Sequence, residues 1–468
     1  MLIRQIVDEK LAQNAYMVGC QATGEALVID PERDVDRYEA LADREGLRVV
    51  AVAETHIHAD FLSGAREFAA RVPGLRVYLS GAGGDEWRYT WPADDGVDVV
   101  TLQDAATFHI GKIEVRAWHT PGHTPEHLSF LVTDHGGGAT VPMALASGDF
   151  VFVNDLGRPD LLETAAGITG SMDASARQLY VSARALERLD DFVQIWPGHG
   201  AGSACGKALG AVPTSTIGYE RRTSPALRKV AEGEDAFVRF ILSDQPEPPL
   251  YFAAMKRLNR LGPPVLGLPP LPRQLTPADL TALVGDDETQ LLDTRDDRRL
   301  FLRGHLPGSF HAPLARSFPT VVGSMLDPDL PVVLLVEEQA LDEACRDLRR
   351  IGYDHLAGWA PVAVLDEVQA DGVTLASIPS IDMETFERRQ AQGPVQVLDV
   401  RSASEHAAGH VPGALQIAHT RLRSRLDEVP SDGPVYVHCA TGVRAAASAA
   451  LLARAGRDVV HVDGVFTA

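Results

Sequence analysis

The sequence of 468 residues is poor in cysteine and in positive charge, and it contains no long apolar run. Its four cysteines lie far apart, which argues against a disulfide-stapled secreted scaffold and favours a reducing compartment. A formal charge of −21 argues against binding to a phosphate backbone. No apolar stretch approaches the roughly 18 residues of a membrane helix, and the first residues lack the apolar core of a signal peptide. The sequence therefore predicts a cytoplasmic protein that binds neither nucleic acid nor membrane.

What is present indicates several folded domains. With 45% hydrophobic and 23% charged residues, the composition is that of a globular protein. After a proline-rich stretch at 244–275, LLDTR at 291–295 recurs as VLDVR at 397–401, and GHLPGS at 304–309 recurs as GHVPGA at 409–414. The near-constant spacing predicts two copies of one small α/β domain. The predicted division is a first domain at 1–243, a linker at 244–275, a first copy at 276–375 and a second copy at 376–468.

Metal-compatible side chains recur at strand ends or beside glycine in the first domain. In the stretch ETHIHADF, alternate residues present two imidazoles to one side as a strand ends. Later loops with the sequences PGHT, SGDF and PGHG add further ligands. Sets of histidine and carboxylate suit zinc or iron. The candidates are His56, His58, Asp60, His123, Asp149 and His199.

These motifs resemble those of the metallo-β-lactamase fold, which implies an αββα sandwich for the first domain. Binuclear members of that family carry a histidine directly after the motif aspartate, where this chain has Phe61. A phenyl ring has no lone pair to give a metal, so the second site loses a ligand. The departure predicts a single metal ion.

Within that fold, the chain resembles the mononuclear persulfide dioxygenases in ETHIHAD, PGH, GD and GRPDL. The resemblance implies that His56, His123 and Asp149 hold one Fe²⁺ and leave coordination positions open for substrate sulfur and O₂. The remaining candidates then orient the ligands and bound water; these are His58, Asp60 and His199.

Two further residues near this centre each have two interpretations. Arg158, in GRPDLL, binds a carboxylate of the substrate or of a loop, or it forms an ion pair with Asp155 or Asp160. Cys205, two residues before Lys207, carries a sulfane sulfur near the metal if the cation lowers the pKa of its thiol. Otherwise the cysteine is inert and packs beneath a glycine-rich loop. The sequence leaves both choices open.

A second chemistry is indicated by VYVHCATGVRAAAS, in which Cys439 follows a strand and precedes a helix. Backbone N–H groups, the helix N-terminus and Arg444 would stabilise a thiolate or persulfide there. The motif resembles the rhodanese sulfurtransferases, which implies that Cys439 carries the persulfide and that Asp399 and Arg401 form a scaffold pair. Tyrosine phosphatases and arsenate reductases have a similar pattern with a loop one residue longer, so a sulfur species is favoured over phosphate.

The first copy departs from this pattern. Val336 aligns with Cys439, and acidic residues replace the glycine and arginine of the loop. Cys345 lies in a helical stretch and is predicted to be a core residue. We therefore expect an inactive rhodanese-like domain at 276–375 with a structural or docking role.

The motifs together resemble the three-part bacterial fusions of a dioxygenase with two rhodanese units. The resemblance implies oxidation of a low-molecular-weight persulfide by O₂ to sulfite and thiol, in sulfide detoxification. It also implies that Cys439 moves sulfane sulfur among thiosulfate, sulfite and thiols. A homo-oligomer is compatible with the sequence.

Two alternatives stay open at this point. One is a glyoxalase-II-like thioester hydrolase with Zn²⁺ bound by His56, His58 and His123. The other is a sulfur-carrier or sensing scaffold in which the rhodanese-like units bind partners.

Overall fold

The computed structural model describes residues 1–164 and 169–466. The chain divides into two compact units, residues 1–248 with 252–269, and residues 249–251 with 270–468. The last two residues of the predicted third domain lie outside the described residues. Within the described parts of the chain, no helix combines the length and the hydropathy needed to cross a membrane.

A mixed sheet forms one layer of the first unit. Its strands, in spatial order, are β1 (Leu2–Asp8), β2 (Gln13–Cys20), β3 (Glu25–Ile29), β4 (Arg48–Ala53), β5 (Arg76–Ser80) and β6 (Val99–Leu102). Strands β1 to β3 are antiparallel, and β3 to β6 are parallel. Strand β2 is buried along its whole length, as expected for a strand covered on both faces.

A second sheet faces the first. It contains β7 (Thr107–Ile110), β8 (Ile113–His119), β9 (Leu128–Asp134), β10 (Ala144–Gly148), β11 (Gln194–Pro197) and β12 (Ser215–Thr216). The spatial order is β12-β11-β10-β9-β8-β7, and β10 and β11 run parallel. Side chains such as Leu27, Ile29, Phe130 and Val132 meet between the sheets and form the central core.

Helices cover the outer faces of both sheets. They are α1 (Asp36–Arg44), α2 (Ala65–Arg71), α3 (Trp91–Asp95), α4 (Leu161–Thr164), α5 (Ser171–Ala185), α6 (Ile217–Thr223), α7 (Pro225–Glu232), α8 (Glu234–Leu242) and α9 (Phe252–Leu261). Apolar side chains from α1 and α2 pack on the first sheet, and those from α5, α7 and α8 pack on the second. The αββα sandwich predicted from the sequence is confirmed.

The span 244–275, predicted to be a linker, contains a packed helix. Helix α9 belongs to the first unit and buries Phe252, Met255 and Asn259 on one face. These positions follow the three- and four-residue spacing of an amphipathic helix. The prolines on either side of α9 hid this short pattern in the sequence.

The second unit contains two parallel sheets that match the sequence repeat. The first has the order β14-β13-β15-β16, from β13 (Gln290–Asp293), β14 (Phe310–His311), β15 (Val332–Leu335) and β16 (Leu356–Ala360). The other has the order β17-β21-β20-β18-β19, from β17 (Ser380–Asp382), β18 (Gln396–Asp399), β19 (Leu415–Gln416), β20 (Val435–His438) and β21 (Val459–Asp463).

Helices flank each of these sheets. Those of the first copy are α10 (Pro277–Ala282), α11 (Arg298–Arg303), α12 (Phe318–Met325), α13 (Leu341–Arg350) and α14 (Val364–Ala370). Those of the second copy are α15 (Met383–Gln392), α16 (Ala403–Ala408) and α17 (Val443–Arg454). Each copy is therefore a small α/β domain with a parallel sheet, as predicted.

Candidate metal centre and cysteine loop

His56, His123 and Asp149 meet at one end of the sandwich. His56 follows β4, His123 lies between β8 and β9, and Asp149 follows β10 directly. Their ligand atoms lie within 4.8 Å of one another, and all three side chains are buried. Asp149 Oδ2 is 3.6 Å from His123 Nε2 and 3.9 Å from His56 Nε2. The structure therefore brings together the three residues that the sequence assigned to the metal.

Hydrogen bonds fix both imidazoles with Nε2 towards Asp149. Thr55 Oγ1 lies 2.8 Å from Asp30 Oδ2 and 2.9 Å from His56 Nδ1. The threonine donates its single proton to Asp30, so it accepts from Nδ1–H of His56. His123 Nδ1 is 3.0 Å from the carbonyl oxygen of Arg158 and donates to it. Both Nε2 atoms keep their lone pairs, which is the orientation that metal-ligating histidines show.

Burial shapes the charges of this group. It lowers the pKa of His56 and of His123 well below the ordinary value, which favours neutral imidazoles. It also raises the pKa of Asp149 to about 6. Within the described residues, neither carboxylate oxygen of Asp149 has a hydrogen-bond partner. A buried acid without a partner beside two neutral imidazoles fits a divalent cation, which would supply the missing charge.

His58 is grouped with Asp30 and Glu54, and its Nδ1 has no hydrogen-bond partner among the described residues. Its Nε2 lies 3.0 Å from Glu54 Oε2 and 3.2 Å from Asp30 Oδ1. Although burial opposes its charge, the two carboxylates raise the pKa of His58 well above the ordinary value. Phe61, fully buried, packs its ring 4.3 Å from the His58 ring. His58 thus offers its Nε2 to carboxylates instead of to the metal centre.

Asp60, His199 and Cys205 form a second buried group beside the first. His199 Nε2 lies 3.3 Å from Asp60 Oδ2 and 3.5 Å from Asp149 Oδ1. His199 Nδ1 faces the backbone oxygen of Ala12 at 3.2 Å. These residues therefore form a second group of possible ligand atoms beside Asp149.

The environment of Cys205 differs from the one expected from the sequence. Lys207 directs its Nζ to the carbonyl oxygens of Phe240 and Ser243, at 2.5 and 2.9 Å, and so is held by backbone groups. Burial, together with nearby carboxylates, raises the pKa of the Cys205 thiol. Of the two interpretations of Cys205, the geometry does not support activation by Lys207, because the lysine is held by backbone carbonyls and carboxylates lie near the sulfur.

Arg158 forms the ion pair that was one of its two interpretations. Its Nη2 and Nε lie 2.7 and 3.0 Å from the two oxygens of Asp160, and its Nη1 donates to the backbone oxygen of Ala204 at 2.9 Å. The side chain is 1% exposed. A guanidinium engaged on all three nitrogens and buried is not open to a substrate carboxylate, which corrects the substrate-binding assignment. It joins the GRPD loop to the Cys205 loop instead.

A side chain of helix α9 forms hydrogen bonds to the loop that carries His56. Asn259 Nδ2 donates to the carbonyl oxygens of His58 and Phe61, at 2.9 and 2.7 Å, and Asn259 Oδ1 accepts from the backbone N–H of Ser63 at 2.8 Å. One buried amide therefore satisfies three backbone groups of the loop that carries His56.

The same helix adds a cation that the sequence analysis missed. Lys256 Nζ lies 4.6 Å from the centre of the Trp87 ring. Burial lowers its pKa to about 8, and its positive charge lowers the pKa of both His56 and His123. The lysine was overlooked because the span around it was interpreted as a linker.

The cysteine loop closes around the sulfur of Cys439. Gly442 adopts φ 84°, a left-handed conformation that favours glycine, and its backbone N–H donates to Cys439 Sγ at 3.2 Å. Helix α17 begins at the next residue and directs its positive end to the loop. Arg444, in its first turn, binds both oxygens of Glu405 at 2.7 Å each.

Glu405 and His419 belong to this site and were missed by the sequence analysis. Arg444 holds the pKa of Glu405 at about 2, and burial with Arg444 lowers the pKa of His419 to about 4. Glu405 also closes the capping box of α16 with Ser402. The S-x-x-E spacing of that capping box was the feature of the sequence from which Glu405 could have been found.

The two copies share a scaffold ion pair. Arg401 binds both oxygens of Asp399, at 2.6 to 3.1 Å, and the backbone oxygen of Gly409. The corresponding pair in the first copy joins Arg295 to Asp293 in the same way. These arginines therefore tie the end of β13 and the end of β18 to the glycine that follows the next helix, Gly304 after α11 and Gly409 after α16.

The first copy lacks the nucleophile at this position. Val336 is buried after β15, where the second copy has Cys439 after β20. Cys345 is fully buried in α13, and burial raises the pKa of its thiol to about 11. These features match the expected inactive copy.

Comparison with known proteins assigns a family. The family model of the metallo-beta-lactamase superfamily matches residues 9–199, and that of the rhodanese-like domain matches residues 382–468. The crystal structure of a metallo-beta-lactamase from Staphylococcus aureus subsp. aureus COL is similar over 77% of this chain and 99% of that chain, with 39% identity and a TM-score of 0.68. The chain belongs to the metallo-β-lactamase superfamily and carries a rhodanese-like domain at its C-terminal side.

Curated relatives match the first unit. The mitochondrial persulfide dioxygenase ETHE1 of Bos taurus is 30% identical over 167 residues, which are 36% of this chain and 59% of that protein. A hydroxyacylglutathione hydrolase of Gloeobacter violaceus is 30% identical over 184 residues, 39% of this chain and 62% of that protein. The chain thus spans about three-fifths of the length of each relative.

Proposed function

We propose that the first unit is a mononuclear iron persulfide dioxygenase and that the second copy of the repeat is a sulfurtransferase acting through Cys439. The dioxygenase reaction is RSSH + O₂ + H₂O giving RSH, sulfite and two protons. The pair of activities would serve sulfide oxidation in the cytoplasm.

The observation that carries the proposal is the group of His56, His123 and Asp149. Two neutral imidazoles converge there with one carboxylate that has no hydrogen-bond partner among the described residues, and Phe61 offers no donor where binuclear relatives carry a histidine. Two histidines and one carboxylate are the ligand set of non-heme Fe²⁺ oxygenases, in which open positions remain for small molecules. When bound, iron would supply the activation of O₂ and the binding of the persulfide sulfur.

The protein's own groups would prepare the reactants. A persulfide is anionic near neutral pH, and Lys256 adds positive charge beside the ligand histidines. His199 Nε2 lies between the two carboxylates, 3.3 Å from Asp60 Oδ2 and 3.5 Å from Asp149 Oδ1, and would orient water bound there.

At the cysteine loop, the thiolate of Cys439 attacks the outer sulfur of thiosulfate. The S–S bond breaks, and sulfite leaves with the electron pair, so that Cys439 carries the sulfane sulfur. A thiolate acceptor then takes this sulfur and restores the Cys439 thiolate. The reverse sequence joins persulfide sulfur to sulfite as thiosulfate. The Gly442 N–H, Arg444 and the N-terminus of α17 stabilise the anionic sulfur in both directions.

Metal analysis and oxygen uptake test the proposal. The purified full chain should contain one iron, and it should consume O₂ with a panel of low-molecular-weight persulfides, which would also identify the thiol. Cys439→Ser should abolish thiosulfate-dependent transfer and leave oxygen uptake unchanged. A protein with two zinc ions that hydrolyses thioesters equally well under argon would instead support the hydrolase alternative.

A further inference from the structure

The backbone carbonyls of the cysteine loop point outwards and are each bound by a donor. Ala440 O accepts from the N–H of Phe466 at 3.0 Å, Thr441 O from Arg298 Nη2 at 3.3 Å, and Gly442 O faces His461 Nε2 at 2.9 Å. Phe466 and His461 belong to the second copy, but Arg298 belongs to the first copy. The two copies lie in one compact unit.

The hydrogen bond from Arg298 to Thr441 O sets the orientation of the peptide group whose N–H donates to the sulfur of Cys439. The carbonyl of Thr441 and the N–H of Gly442 belong to the same planar trans peptide, so they point in opposite directions. A donor that holds the carbonyl outside the loop therefore aims the N–H inside it. That N–H is the one that donates to Cys439 Sγ at 3.2 Å.

Arg298 is itself anchored from the second copy. Its Nη2 and Nε lie 2.6 and 3.2 Å from Asp463 Oδ1, at the end of β21. The packing there is tight, because a Cβ added at Gly442 would come within 2.6 Å of the same Asp463 oxygen. The guanidinium is thus clamped between a carboxylate and the loop carbonyl, and a charge-assisted bond of this kind is stronger than a neutral one.

We propose that the first copy, which has no cysteine of its own at the loop, completes the active loop of the second. Arg298 is a positioning residue: it fixes the Thr441–Gly442 peptide so that the N–H faces the anionic sulfur of Cys439. This inference rests on the proposed sulfur transfer at Cys439. It assigns to the inactive copy a part in reactivity at the neighbouring cysteine.

Substitution of Arg298 in the full chain tests the inference. Arg299→Ala is the matched control, because Arg299 lies on the same helix, 71% exposed, and contacts Asp463 at 3.3 Å but not Thr441. Thiosulfate-to-cyanide transfer gives kcat and KM. Alkylation of Cys439 by iodoacetamide, followed across pH by mass spectrometry of its peptide, reports thiolate reactivity directly.

Arg298→Ala should lower kcat roughly 10-fold with a smaller change in KM, because a misaimed donor loses part of what a deleted oxyanion donor loses. Its alkylation should be slower at neutral pH, with the midpoint of the pH profile shifted upwards. Arg298→Lys should restore part of both effects, and Arg299→Ala should match the wild type. If Arg298→Ala and Arg299→Ala behave alike in both assays, the inference is wrong.

A second variant and the alkylation assay keep the outcomes separate. If Arg298→Ala does not fold, as judged by circular dichroism, Asp463→Asn loosens the same anchor and should shift the alkylation profile in the same direction. An unshifted profile would overturn the inference.

Alkylation needs no sulfur substrate. A chain that fails to transfer sulfur would therefore refute the proposed function, while the pH profile of alkylation would still decide the role of Arg298.

Discussion

At the scale of single residues, the decisive feature of the metal centre is which imidazole nitrogens are already engaged. Nδ1 of both His56 and His123 is bound to a protein oxygen, which leaves Nε2 for Asp149 or a metal. His58 is reversed, because its Nε2 is bound to acids. Chemically equal side chains thus acquire different roles from their hydrogen bonds.

Removal of the unpaired carboxylate should release the metal. Asp149→Ala takes away one of three proposed ligands, and since losing only an outer partner of a ligand costs roughly 10–100-fold in affinity, the loss should exceed that range. Metal content after gel filtration measures it, with Asp134→Ala on the surface as the control. Retention of a full equivalent of iron by Asp149→Ala would contradict the proposed ligand set.

The site could be predicted from the sequence only where local spacing determines it. The motif histidines and aspartates follow strand ends, so their convergence was readable. The direction in which His58 faces was not, because its partner Asp30 lies 28 residues upstream. Only one of the two partners of Arg158 could be predicted from the sequence. Asp160 lies two residues away, whereas Ala204, whose backbone oxygen also accepts from Arg158, is distant in sequence.

At the scale of elements, helix α9 shows how a short helix between prolines becomes part of the site. The side-chain amide of Asn259 binds backbone atoms of His58 and Phe61, which are 201 and 198 residues away in sequence. Hydrogen bonds between residues so far apart in sequence cannot be predicted from local hydrophobic periodicity. The repeat in the second unit, by contrast, was predicted from motifs that build the same strand and the same ion pair in both copies.

Loss of the Asn259 amide should loosen the metal-centre loop. Asn259→Ala leaves three buried backbone groups without partners, at about 1–3 kcal/mol for each group that water cannot reach. We expect a lower midpoint of thermal unfolding and weaker iron binding. Calorimetry and metal titration measure these, with Gln245→Ala as a control that removes a single side-chain bond, the one to the backbone oxygen of Ile241 in α8. Wild-type values for Asn259→Ala would show that the loop does not depend on α9.

At the scale of the whole molecule, the two proposed activities, oxygen uptake and sulfur transfer, are assigned to different units and can be assayed separately. The fold of the first unit was predicted from the resemblance of its motifs to a known family, and that of the two copies from the alternation of strands and helices. The limits of the first unit were not, because they depend on packing between segments far apart in sequence.

The stability of the second unit should fall as pH decreases from about 6.5 to about 4. Folding lowers the pKa of His419 to about 4, so the unfolded chain, with a histidine pKa near 6.5, binds the proton first. Below about 4.5 a second loss begins, since the pKa values of Asp399 and Glu405 are held at about 2 in the folded state. Thermal inactivation of sulfur transfer across pH measures both windows. His419→Asn should reduce the loss in the upper window, to which four other histidines with lowered pKa values contribute, and an unchanged slope in that variant would refute the role of His419.

The placement of α9 has a practical consequence for anyone who wishes to isolate the N-terminal activity. A fragment cut after residue 243, the limit suggested by the prolines, would lack both Asn259 and Lys256. The loss of their contacts with the metal-centre loop would then mimic a catalytic defect that the intact chain does not have. Excision after residue 269 retains the helix and the segment that follows it in the first unit.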